Sequence, residues 1–342
     1  MEPTAAIPLF VVSVVVTLSA ARLFAKRLDL LGSRFGFPEA LIGLLTALAA
    51  DGPEVSSALF ALAKGQHNVG VGVLVGSNAF NLAAMIGLSG LLAGCISLSR
   101  ATLLLEGLAG GLITLIAVAV LLGWLASTIA AVLAACVLIP YLVLVIGRPR
   151  RLARWKLSGL LSRSESFERA SPASVTGAAS DLGAPAGKSP ASSSASPTHH
   201  LLGLVVLDVT LIVAGSAGMV QAALSLGERW HVSTAVLGIL ILAPLTSLPN
   251  AITAVRLGLA NRGAALVGET FNSNTINLAA GVLIPSLFVT LAVSAGTARL
   301  QLGWLVGMTF VSLLLLAPAR GMRRPGAIAL IVLYLGFVGL QL

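Results

Sequence analysis

Long apolar runs recur along this chain, at 7–25, 38–63, 69–94, 102–122, 125–146, 201–226, 233–259, 264–290, 301–318 and 326–342. A helix needs roughly 20 apolar residues to cross the hydrocarbon core of a bilayer. Inside that core each backbone N–H and C=O must be satisfied within the segment, so a spanning run is a helix. The runs therefore predict an all-α polytopic membrane protein with ten transmembrane helices. Only 10% of the 342 residues are charged, against about 25% in a soluble domain. That excludes an ordinary soluble enzyme, a disordered chain and a secreted disulfide scaffold. Met1-Glu2-Pro3 lacks the basic region of a signal peptide, so 7–25 reads as a retained first span. The hairpin near Gly123 and Trp124 is the least marked boundary. Cys95 and Cys136 lie in apolar stretches without CxxC or zinc spacing and read as small packing residues.

Residues 147–200 differ from the rest. They begin with Arg148, Arg150, Arg151, Arg154 and Lys156 and continue as a Ser/Ala/Pro/Gly tract that includes His199 and His200. Such a tract has too few large apolar residues to form a core and reads as a disordered linker. It separates a first unit, 1–146, from a second, 201–342. The formal net charge of +9 does not call for nucleic acid, because the basic residues sit in the loops. Counted by loop parity, 18 of the 21 Lys and Arg fall on one side, leaving Lys64, Arg229 and Arg299 on the other. By the positive-inside rule the linker is then cytoplasmic and both termini face outside. The expected location is the plasma (inner) membrane. Trp124, Trp230 and Trp304 lie near span ends, as in an aromatic belt.

A shift of 196 residues aligns 41–84 with 237–280 without a gap and with thirteen identities. Matching Leu and Ala mean little here. Matching polar residues mean more: Ser77, Asn78 and Asn81 fall on Ser273, Asn274 and Asn277, and Pro53 falls on Pro249. The motif regions are 38–94 and 233–290. Five spans, an odd number, separate the copies, so they would cross the bilayer in opposite directions. The fold expected is two inverted five-helix repeats with discontinuous helices at the midplane, where secondary transporters hold their substrate.

Most of the polarity inside the spans falls in these regions. Asp51 and Glu54 are spaced i, i+3 and can share a helix face. Pro53, Pro244 and Pro249 interrupt the helical bonding and free carbonyls to face a cavity or bind a cation. No Lys or Arg lies in these blocks, so a cation or proton is the natural counter-charge. Carboxylates beside Ser and Asn oxygens make a hard oxygen site suited to Na+ or Ca2+. Asp51, Glu54, Asn81, Asn250 and Asn277 are the candidate metal ligands. Ser56, Ser57 and Thr253 read as packing residues. Glu269, opposite Val73 in the repeat, lines an access path or shuttles a proton, or else borders a vestibule with no specific role. Glu106 reads as interfacial, and Asp208 has no repeat partner.

Gly76-Ser77-Asn78-Ala79-Phe80-Asn81, together with Pro53-Glu54 and Thr246-Ser247-Leu248-Pro249, resembles the two α-repeat motifs of the cation/Ca2+ antiporter superfamily, which includes sodium/calcium exchangers. The resemblance implies alternating access, with spans one and six as gating helices sliding over an eight-helix core. It also implies cation coordination by Glu54, Ser77, Asn81, Thr246, Ser247, Asn250, Ser273 and Asn277 with the carbonyls of Ala47 and Ala243. The chain departs from the pattern: Asn250 stands where the family usually has a second Glu, Asn277 where exchangers often have Asp, and Asp51 where the motif has Ser.

The function expected is thus secondary antiport of Ca2+ against Na+ or H+, with no cofactor. Alternatives are monovalent cation/proton exchange, or a passive channel or transport-inactive sensor on the same fold. The chain has no HExxH or GxSxG, and an intramembrane enzyme is not expected. The expected partners are the lipid bilayer and inorganic cations, with no obligate protein partner. Two carboxylates balance one Ca2+, two Na+ or two protons, which disfavours three-for-one exchange.

Overall fold

The computed structural model describes residues 3–36, 45, 47–146, 198–291, 293, 296–318 and 320–341. The chain runs α1 (Pro3–Arg34), α2 (Gly52–Ala63), α3 (His67–Ala93), α4 (Arg100–Leu121), α5 (Ser127–Ile146), α6 (Thr198–Arg229), α7 (Thr234–Leu259), α8 (Gly263–Leu278), α9 (Gly296–Leu316) and α10 (Arg324–Gly339). Seven of these are long and apolar enough to cross a membrane, namely α1, α3, α4, α5, α6, α7 and α9 as trimmed to their apolar stretches. Part of the expected second span, and nearly all of the linker, lies outside the described residues.

Local chemistry sets the ends. Ser99 caps α4, its hydroxyl accepting from Thr102 N at 3.0 Å, and Ser233 caps α7 through Val236 N at 3.3 Å. Pro325 sits in the first turn of α10, where no intrahelical donor is needed. The hairpin at Gly123 exists: α4 ends at Leu121 and α5 begins at Ser127. α1 continues nine residues past the expected end of the first span, to Arg34, because Lys26, Arg27 and Asp29 end hydrophobicity without breaking a helix. For the same reason Thr198, His199 and His200 belong to the first turn of α6 and not to the linker. Cys95 and Cys136 are exposed, so neither packs a core. Cys95 lies in a two-residue strand instead.

That strand, β1 (Cys95–Ile96), pairs antiparallel with β2 (Met322–Arg323). The bond ties the loop before Arg100 to the one carrying Arg320, Arg323 and Arg324. Gly263, at the loop that carries Arg262, abuts Ser97. Three basic loops therefore gather at one end of the bundle, as the charge parity requires.

The core is built around α3, which is buried along nearly its whole length, whereas α1, α5 and α6 are largely exposed. A methyl on Gly76 would fall 2.8 Å from both Cα and O of Ile239, so only glycine lets α3 approach α7 this closely. α1 and α6 pack on each other along their length. Arg27 meets Asp208 and Thr17 meets Gly215, so the two helices run antiparallel. Asp208, unassigned from sequence, is thus the ion-pair partner of Arg27, which joins the two helices. Trp124 and Trp230 are exposed, as an aromatic belt requires. Trp304 instead packs between helices, its indole N–H donating to Leu333 O at 3.1 Å.

Candidate functional site

Four helices deliver the polar residues to one place. α2 begins just after a turn at Asp51. The backbone N–H of Asp51 donates to Ala47 O at 3.0 Å, and Pro53 then removes a donor from the first turn of α2. The break turns Asp51 and Glu54 inward, where they are 1% and 0% exposed. In α3 and α8 the Ser-Asn-x-x-Asn sequences sit at the end of regular α-helix. Each is followed by a π-helical stretch, Leu82–Leu88 in one and Ala279–Leu283 in the other. α7 has its own π-helical stretch, Leu237–Leu242, directly before Ala243-Pro244. Such stretches re-aim side chains and frequently mark functional sites.

The two Asn motifs hold each other by exchange. Asn78 Nδ2 donates to Asn274 O at 3.4 Å, and Asn274 Nδ2 donates to Asn78 O at 3.2 Å. Asn81 Nδ2 donates to Ser273 Oγ at 3.1 Å and to Asn274 Oδ1 at 3.1 Å. Asn277 Nδ2 mirrors it, reaching Ser77 Oγ at 3.5 Å and Asn78 Oδ1 at 3.3 Å. Each bond maps onto its partner under the 196-residue shift, so α3 and α8 cross antiparallel with local two-fold symmetry.

The carboxylates break that symmetry. Asp51 Oδ1 accepts from Ser273 Oγ at 2.5 Å and from Asn250 Nδ2 at 2.7 Å. Glu54 Oε1 accepts from Ser247 Oγ at 2.9 Å. Asn250 also donates to Ser273 Oγ at 3.4 Å. Thr246 turns back to its own helix, donating to Leu242 O at 3.0 Å and Ala243 O at 3.1 Å. The Ala243 carbonyl is thus at the site but engaged, and the Ala47 carbonyl accepts the Asp51 N–H. Ser77 donates to Leu74 O at 3.2 Å. Thr253 bonds Pro249 O, and Ser57 is buried; both lie outside the hydrogen-bonded set.

What this cluster leaves over is specific. Asp51 Oδ2, Glu54 Oε2, Asn81 Oδ1 and Asn277 Oδ1 are buried with no hydrogen-bond partner among the described residues. All are oxygens, and two belong to carboxylates. An unpartnered polar atom in the interior costs about 1–3 kcal/mol, more for a charged group. Among the described residues no Lys or Arg pairs with either carboxylate, and no three His, Cys, Asp or Glu converge as a metal cluster. The amides must complete any coordination shell. The chemistry on offer is a hard oxygen cage for a dehydrated cation.

A second polar contact was not legible in the sequence. Glu106, expected at the interface, is 7% exposed. Its Oε2 accepts from Tyr141 Oη at 2.9 Å, and Tyr141 also contacts Asn272 Oδ1. Six residues into α4, Glu106 faces Gly268 of α8. The triad clamps α4, α5 and α8 together beside Ser273. The signal available was a carboxylate and a tyrosine within apolar spans, with no periodicity linking them.

The comparisons agree with this architecture. The structure resembles the sodium-calcium exchanger NCX_Mj soaked with 2.5 mM Na+ and 10 mM Sr2+, at TM-score 0.59 and 18% identity over 99% of each chain. It also resembles NCX_Mj soaked with 10 mM Na+ and 10 mM Sr2+, at TM-score 0.60 and 18% identity over 99% of each chain. At this identity the likeness establishes the fold. No individually curated protein matches the chain in sequence. The sequence profile described as "Sodium/calcium exchanger protein" matches residues 5–148 and 200–342, most of the chain. This integral membrane protein belongs to the sodium/calcium exchanger family of cation antiporters.

Proposed function

We propose that the chain exchanges Ca2+ for Na+ or H+ by alternating access at the site formed by Asp51, Glu54, Asn81, Asn250 and Asn277. The observation that carries this reading is the set of four buried oxygens without partners among the described residues, two of them on carboxylates that no described basic residue neutralises. Ser247, Ser273 and Asn250 hold the other carboxylate oxygens in place, which leaves one oxygen of each carboxylate available to a cation. Two carboxylates and two amide oxygens can balance and coordinate one Ca2+, or hold two monovalent ions in turn.

The ten helices form two inverted five-helix repeats, 1–146 and 201–342, with termini outside and the 147–200 linker cytoplasmic in the plasma membrane. The reciprocal Asn bonds and the single end that collects the basic loops support this arrangement. α1 and α6, exposed and joined by Arg27 and Asp208, act as the gating pair. Ser216 of α6 lies 3.4 Å from Pro53 O, so movement of the pair bears directly on the broken start of α2.

The test is uptake of radiolabelled Ca2+ into proteoliposomes under an imposed Na+ or pH gradient, with Glu54→Ala as control. Uptake that follows one gradient and falls to background in Glu54→Ala supports the reading and identifies the counter-ion. The neutral amides Asn250 and Asn277 favour a second reading, monovalent cation/proton exchange. It is selected if Ca2+ moves in neither gradient while a Na+ gradient drives proton movement.

A further inference from the structure

Glu269 belongs to no motif and has no acidic counterpart in the first repeat, where Val73 is fully buried. Helix periodicity nevertheless places it on the working face of α8. It precedes Ser273 by four residues, one turn, and the Ser273 hydroxyl donates to Asp51 Oδ1 at 2.5 Å. Glu269 Oε2 is buried and unpartnered, as is Asp51 Oδ2. The residue as a whole is only half-buried, unlike Asp51 and Glu54. Among the described residues no Lys or Arg forms an ion pair with it. α8 starts at Gly263, so Glu269 lies about 9 Å along the helix at 1.5 Å per residue. That puts it between the basic end of the bundle and Asp51.

We propose that Glu269 is a third carboxylate of the transport site and binds one monovalent cation, H+ or Na+, beyond those balanced by Asp51 and Glu54. The inference rests on the antiport reading for its role in transport, but its binding claim stands on its own. A two-carboxylate site balances two positive charges. A third carboxylate, one turn from Ser273, raises that capacity to three and supplies the charge that Asn250 and Asn277 do not. The half-buried position leaves part of the side chain accessible while Oε2 stays buried.

The experiment is equilibrium binding to the purified full-length chain in detergent. It counts radiolabelled Na+ bound per chain at saturation, and protons released on Na+ binding by a pH-indicator dye. Glu269→Gln is expected to lose one bound Na+, or to release one proton fewer, relative to the unsubstituted chain. The arm in which the loss appears identifies the ion. Glu269→Asp, which keeps the carboxylate, is expected to restore the count. Unchanged counts in both arms for Glu269→Gln overturn the proposal, as does an equal loss in Glu269→Asp. Failure of gradient-driven Ca2+ uptake would count against Ca2+ antiport and leave these binding counts standing, so the two readings fail separately.

Discussion

The Arg27–Asp208 pair permits a sharp energetic test, because its two members are not equally buried. The Arg27 side chain is 20% exposed and also donates to Leu204 O at 3.2 Å, whereas Asp208 is 1% exposed. Asp208 Oδ2 already lacks a partner among the described residues. Arg27→Met removes the only cation paired with that carboxylate among the described residues and leaves a buried, uncompensated charge, at a cost of about 3–5 kcal/mol. Asp208→Asn loses a charge-assisted bond, about 1.5–3 kcal/mol, but leaves Arg27 its carbonyl contact and a route to solvent by extension of its stem. Arg27→Met with Asp208→Leu replaces both charges by apolar groups and is expected to fall within about 1 kcal/mol of the unsubstituted chain. The ordering is therefore Arg27→Met worst, Asp208→Asn intermediate, the double variant mildest. Reversible unfolding in mixed micelles of rising SDS fraction measures all of them. Additive losses, or a milder effect for Arg27→Met than for Asp208→Asn, would refute the view that Asp208 is held in place by Arg27.

Three further outcomes follow from the packing and the bonding at the site. Gly76→Ala sets a methyl 2.8 Å from the backbone of Ile239, so it should destabilise by about 1–3 kcal/mol and weaken cation binding by shifting α3 against α7; a melting temperature equal to that of the unsubstituted chain would contradict this. Asn78→Ala and Asn274→Ala remove mirror-image bonds and should each cost about 1–3 kcal/mol, with matched losses in thermal unfolding; a large inequality between them would break the claimed two-fold relation. Tyr141→Phe strips the hydroxyl that meets Glu106 and Asn272 and should cost about 1–3 kcal/mol, read as a lower melting temperature.

How much of this was legible in the sequence follows from the range of each interaction. Hydrophobicity is local and cumulative, so the runs located α1, α4, α5, α6 and α9, with the larger boundary errors where polar but helix-compatible residues such as Lys26 and His199 continued a helix. The repeat exposed the Asn motifs because polar residues are scarce in apolar spans. The acids Asp51 and Glu54 stood out by their i, i+3 spacing in an apolar span, not by the repeat, which has Ser247 and Asn250 there. What periodicity does not carry is which donor serves which acceptor. Asn250 reads in sequence as a ligand, and the structure turns its N–H toward Asp51. Glu106 and Tyr141 meet across two helices, and Arg27 and Asp208 across 181 residues. Such contacts depend on tertiary packing, and only the repeat makes any of them visible in advance.

The division of labour between amides and carboxylates then has a physical reason. The reciprocal bonds between α3 and α8 are neutral, so their strength changes little when an ion enters or leaves. A charged pair at the same crossing would be made and broken with each change of net charge in a site of low dielectric. In the site proposed above, the neutral crossing serves as a fixed axis, with the charge carried by Asp51 just before α2, by Glu54 on α2 and by Glu269 one turn before Ser273 on α8. Of these elements, α2 contacts α6, through Ser216 and Pro53. On the proposal that α1 and α6 gate the site, ion charge and gate position are coupled through the start of α2 more directly than through α3 or α8. A substitution at Ser216 should therefore alter transport rate while leaving equilibrium cation binding nearly unchanged, whereas one at Asn81 should alter both.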